Sequence, residues 1–133
     1  MAQTVTHWND WTRVEGGYPF STTFQDNAID QTDVTGANAH IYLLNPKCIW
    51  FSASLINKSS GGTQKLQATN DSIQQIISGT AEWFDILPSV VAGATGFYGN
   101  VFLFTAIRSI MAIAGTAAPC KLHMMMSSGN AQT

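Results

Sequence analysis

Between Lys47 and Lys58 the chain reads KCIWFSASLINK, and its side chains alternate with a period of two. Ile49, Phe51, Ala53 and Leu55 fall on one side, Cys48, Trp50, Ser52 and Ser54 on the other. Successive side chains of a strand point to opposite faces, so this stretch is expected to be a strand with one face in a core. The same period recurs in CKLHMMMS, 120–127, where Leu122, Met124 and Met126 alternate with Lys121, His123 and Met125. HIYLL (40–44), QKLQATN (64–70) and TAEWFDIL (80–87) read as further strands. Asn45-Pro46 is a turn signal, and NKSSGGT, 57–63, reads as a hairpin loop. TAIRSIMAIAG, 105–115, fits a helix face through Ile107, Ile110, Met111 and Ala114, and equally one side of a strand through Ile107, Ser109, Met111 and Ile113. Strand is the choice, because Gly115-Thr116 looks like a hairpin turn into the last strand. DSIQQIISG, 71–79, breaks the period. Asp71 or Ser72 is placed to cap one helical turn that Gly79 ends. Pro88 through Gly99, with its GATGFYG run, reads as a loop. Short strands with turn signals every dozen residues specify an all-β fold: an antiparallel β-sandwich, jelly-roll-like, over residues 38–133.

Residues 1–37 read as an irregular N-terminal arm. Trp8, Trp11, Tyr18 and Phe20 are its anchors. It either drapes over a neighbouring subunit or packs on its own domain, and the sequence leaves both open. Phe24, Ile29 and Val34 belong to a short strand or two, and the SSGNAQT tail is expected to fray.

A chain of 133 residues is long enough for a proper core. Only 11% of its residues are charged, against about 25% in an ordinary domain. Its polar surface must come from Ser, Thr, Asn and Gln, which suits a protein packed against copies of itself or a partner. The net charge is −2 and the six Lys and Arg are scattered singly. A nucleic-acid binder needs a basic stripe, so that class is set aside. The apolar run 101–115 is shorter than the ~20 residues of a spanning helix and holds Arg108 near its middle, so no membrane span is expected. The N-terminus has no basic region followed by an apolar run, which points to synthesis in the cytoplasm with Cys48 and Cys120 reduced.

No motif carries a reaction. His40, Cys48, Cys120 and His123 are the candidate soft metal ligands. Cys120 and His123 are three apart on a strand and so diverge, and no metal or other cofactor is expected. Glu82 and Asp85 diverge for the same reason, whereas a glycosidase holds two carboxylates about 5–9 Å apart. There is no nucleophile elbow and no phosphate loop, so the chain is expected not to be an enzyme. Arg108 lies in an otherwise apolar strand, where a structural ion pair with Asp85 or Glu82 is favoured over ligand binding. Trp50 and Trp83 offer faces for stacking on a sugar, but a Trp in an alternating strand is more commonly core or interface. Of Trp83 and Phe84, one is expected to fill the core and the other to lie at a contact between subunits.

The order KLQATND (with Leu66 to Asp71), GTAEWFDI (Gly79 to Ile86), FTAIR (Phe104 to Arg108) and Gly115-Thr116 resembles small β-sandwich virion structural proteins of tailed bacteriophages. That resemblance implies a non-enzymatic part of a virion: a capsid decoration or cement protein, or a head–tail accessory. Its partners would be the major capsid protein, other virion proteins and further copies of itself. Trp8, Trp11, Tyr18, Phe20, Trp50, Trp83 and Arg108 are the interface candidates on that view. The same order is similar to discoidin-type galactose-binding sandwiches, which implies the alternative of a carbohydrate-binding module or receptor-binding adhesin. The SIQQIISG insertion, the N-terminal stretch and the Met-rich last strand depart from both patterns and favour an added assembly arm.

Overall fold

The computed structural model describes residues 3–14, 21–100 and 104–128. Among these residues ten strands form two five-stranded sheets. In chain order they are β1 (Thr4–Thr6), β2 (Thr12–Arg13), β3 (Ser21–Ile29), β4 (His40–Leu43), β5 (Trp50–Ile56), β6 (Thr63–Thr69), β7 (Phe84–Val91), β8 (Thr95–Asn100), β9 (Ala106–Ile113) and β10 (Cys120–Ser127). The first sheet runs β1-β4-β9-β6-β7 and the second β2-β3-β10-β5-β8. From β3 onward the eight strands have jelly-roll order. The first and last of them, β3 and β10, lie side by side, and most connections cross from one sheet to the other. The all-β sandwich expected from the alternation is therefore the observed fold.

The alternation explains the core. Phe51, Ala53 and Leu55 of β5 and Leu122, Met124 and Met126 of β10 are all buried between the sheets. They meet Leu66 and Ala68 of β6 and Ile107 and Met111 of β9 from the opposite sheet. The strand reading of 105–115 holds, since β9 is the middle strand of the first sheet. Ile49 is half exposed and Cys48 buried, the reverse of the expected alternation, because both precede the start of β5.

Four expectations need correction. The described part of residues 1–37 is largely built into the sheets: β3 pairs along its length with β10, β2 adds to β3, and β1 runs parallel to β4. NKSSGGT and Gly115-Thr116 are not hairpins, because β5 and β6, and likewise β9 and β10, lie in opposite sheets. Instead the two connections bridge each other, at Ser60 and Thr116. Pro88 does not end a strand. It lies within β7, an edge strand, where the pairing with β6 slips between Leu87 and Val90, and an edge irregularity tolerates a residue without an N–H. GATGFYG is not a loop. Thr95 to Asn100 form β8, and the turn before it is made by Gly93 at φ +81°.

Among the described residues the one α-helix, α1 (Ile73–Ser78), covers the outer side of the first sheet. Ser72 caps it in both directions: its hydroxyl accepts from Gln75 N–H, and its own N–H donates to Gln75 Oε1. Gly79, at φ +80°, ends it. Ile76 is the buried residue of this helix, and it joins Ala39, Ile41, Leu43, Ala106 and Ile110 in a second, smaller apolar cluster. Ser72→Ala is expected to cost about 1 kcal/mol, read as a lower urea midpoint with an unchanged slope.

Candidate functional site

The outer face of the second sheet is defined by cross-strand register. One row holds Thr12, Thr23, Met125, Ser52 and Gly99. The next holds Gln25, His123, Ser54 and Phe97. A third holds Ser21, Ser127 and Trp50. None of these rows contains an Asp, Glu, Lys or Arg. Three large apolar side chains stand out of the face: Trp50 (48% exposed), Phe97 (68%) and Met125 (41%). Trp50, Ser52, Gly99, Asn100, Met125 and Ser127 line a groove of about 330 Å³. Gly99 lets the groove floor lie close to the backbone, and the rim supplies hydroxyl and amide groups. Such a face binds by shape, apolar contact and neutral hydrogen bonds, not by charge.

Arg108 sits on the opposite side of the molecule, on the outer face of the first sheet between Ile41 and Gln67. It is 7% exposed. It forms no ion pair with Asp85 or Glu82. Its Nε donates to Gln67 Oε1 at 2.9 Å, and Gln67 Nε2 in turn donates to Asp85 Oδ1 at 2.9 Å. Lys65 Nζ is the cation near Asp85, at 3.4 Å. The Arg108 guanidinium lies over Trp83, with Cζ 4.4 Å from the ring centroid, an attractive cation–π geometry. Burial pushes its pKa below the usual arginine range, and the charge of Asp33 partly offsets that. Asp33 accepts backbone N–H groups of Thr35, Gly36 and Asn38, so its loop is wrapped around the carboxylate. Gly36 has φ +89°, and a Cβ there would lie 2.2 Å from Arg108 Nη1. Gly36→Ala is expected to destabilise by about 1–3 kcal/mol, read by thermal or urea unfolding, because both backbone and guanidinium must move.

The remaining candidates are dispersed. Trp11 is buried in the core at 5% exposure, 6.1 Å from Phe24. Trp8 is half-buried and stacks on His7 at 3.9 Å. Both pack on their own chain. Tyr18 and Phe20 lie outside the described residues. Trp83 is half-buried against the smaller cluster, while Phe84 is exposed and meets Phe104 edge-on at 5.6 Å. Neither fills the main core. Among the described residues no three His, Cys, Asp or Glu side chains gather as metal ligands. His123 pairs with Asn27, and Cys120 donates to Asn57 Oδ1. Cys48 and Cys120 are buried free thiols, and burial pushes the Cys48 pKa up. No described helix is long and apolar enough to cross a membrane.

Sequence reasoning missed two features. Phe97 falls in a run that reads as a loop, although GFYG also alternates. Asp26, His40 and Tyr42 form a polar cluster in which the Asp26 carboxylate accepts from Tyr42 OH and contacts His40 Nδ1. Nothing local links residues 14 and 16 positions apart.

No protein-family model matches the sequence, and no curated protein does. Among solved structures, a chain from "Bacillus endospore appendages form a novel family of disulfide-linked pili" is similar over 89% of this chain and 90% of its own. The identity is 14% and the TM-score 0.41.

Proposed function

We propose that the protein is a non-enzymatic structural subunit that works by packing the three uncharged rows on the outer face of its second sheet against a neighbouring protein in a particle. The observation that carries this is the combination of Trp50, Phe97 and Met125 on three rows that hold no Asp, Glu, Lys or Arg, with Lys121 in the row beyond. The resemblance to tailed-phage virion proteins supplies the particle: a capsid decoration or cement protein, or a head–tail accessory. Its partners are then the major capsid protein and other copies of this chain. Five strands about 4.8 Å apart and three rows about 7 Å apart give a patch of roughly 400 Å². A stable pairwise interface covers about 800 Å² on each partner. One copy therefore binds weakly through this face alone, and many copies on one lattice hold by avidity.

Density-gradient sedimentation of particles from the source lysate tests this. The chain is expected to travel with the particles at a fixed, high ratio to the major shell protein. A chain left at the top of the gradient rejects the virion role.

A second reading is favoured by one observation. Trp50 is exposed beside Ser52, Asn100 and Ser127, the arrangement of an aromatic platform with polar groups at its edge that holds a sugar ring. A glycan-binding module predicts saturable quenching of Trp fluorescence by a glycan panel, lost in Trp50→Ala.

A further inference from the structure

We propose that the recess over Arg108 is a binding site for a monoanionic carboxylate. Gln3, Gly36, Ile76, Ala81, Trp83 and Arg108 are among the residues lining this recess of about 270 Å³, roofed by α1 and by the segment that follows it. Arg108 is more than nine-tenths buried, yet among the described residues only its Nε has a hydrogen-bond acceptor. Among the described residues no acceptor is hydrogen-bonded to Nη1 or Nη2, and no carboxylate lies within 4.0 Å of the guanidinium. The two Nη groups are not among the fully buried polar atoms that lack a partner, so they stay open to the recess, where a ligand can take the place of water.

The surroundings fix the guanidinium for a ligand. Gln67 holds Nε, Trp83 lies against the guanidinium plane, and the bare Cα of Gly36 lets the guanidinium pack where a Cβ would otherwise sit. The two Nη groups form the fork that matches the two oxygens of a carboxylate. Ile76, Ala81 and the Trp83 ring supply an apolar wall for a short aliphatic stem. The charge of the ligand follows from the field. Asp33 already places a negative charge near the guanidinium, and its repulsion weighs more on a phosphate dianion than on a carboxylate, which favours the monoanion. The carboxylate belongs either to a free small acid or to a polypeptide chain end.

The test uses the full chain with 15N-labelled arginine. The sequence has two arginines, Arg13 and Arg108, so Arg13→Lys assigns the Nε–H signals. Propionate is expected to shift the Arg108 signal saturably, with propionamide and inorganic phosphate at least about tenfold weaker. N-acetylglycine separates the sources: tighter binding than propionate assigns a polypeptide C-terminus, and equal or weaker binding assigns a free acid. Ala81→Phe, which keeps Arg108 and fills the recess, is expected to abolish the shift, and this variant stands even if Arg108→Lys fails to fold. The proposal is overturned by a shift that rises linearly with salt, by phosphate binding as well as propionate, or by a saturable shift that survives Ala81→Phe.

Discussion

Trp11→Ala is expected to lower the stability of the isolated chain by about 3–5 kcal/mol, the range for removing a large aromatic from a packed core. Whole domains are stable by only about 5–15 kcal/mol, so this one change removes a large share. The reason is its place in the fold. Trp11 is 5% exposed and packs in the main core beside Phe24, which in turn meets Tyr42 at 5.5 Å. Trp11→Phe is expected to recover most of the loss. It keeps a ring in the same space and removes an indole N–H that has no partner among the described residues. The measurement is urea unfolding over a dilution series, so that association does not contribute. If residues 1–20 were a detachable arm, Trp11→Ala would leave unfolding of the dilute chain unchanged and weaken assembly alone. By the same reasoning, deleting residues 1–20 is expected to destabilise the sandwich, since it removes β1, β2 and Trp11 together.

How far the sequence discloses this fold depends on whether each strand's inner face is apolar. β5 and β10 are legible because every inward position is apolar. β3 is not. Its inward position opposite Leu122 is Asp26, buried at 7% exposure and held by Tyr42 OH, so the alternation breaks where long-range chemistry replaces packing. The first half of β7 is legible in TAEWFDIL, whereas its second half from Pro88 and all of β8 are hidden by Pro and Gly, which edge strands accept and which local reading takes for turns. Turn signals also do not say whether the next strand stays in the same sheet, so Gly61-Gly62 and Gly115-Thr116 read as hairpins when they cross between sheets. The capped helix was legible because Ser72, Gln75 and Gly79 act within one segment. The exceptional character of Arg108 could be read from its apolar strand. Its partner Gln67 is 41 residues away, and only the register between β6 and β9 brings the two together.

Placing charge on the uncharged face is expected to abolish co-sedimentation with the particle while leaving the fold intact. Trp50→Glu and Phe97→Glu combined are the variant of choice. Trp50 is about half exposed and Phe97 more so, and surface substitutions of that kind ordinarily change stability by no more than about 0.5 kcal/mol. At an interface the same carboxylates lose water without gaining partners, since the face around them offers Ser, Thr, Gln and Met but no cation in its three rows. Desolvating one unpaired charge costs several kcal/mol in practice, and about 1.4 kcal/mol is already tenfold in affinity. Two such charges per copy, repeated across a lattice, remove the avidity on which weak contacts depend. The readout is the ratio of this chain to shell protein in the particle band, with the melting temperature measured in parallel. A double variant that melts normally and still travels with the particle would place the contact elsewhere. The Phe84 and Phe104 edge of the molecule, apolar and partly exposed, would then be the next surface to charge.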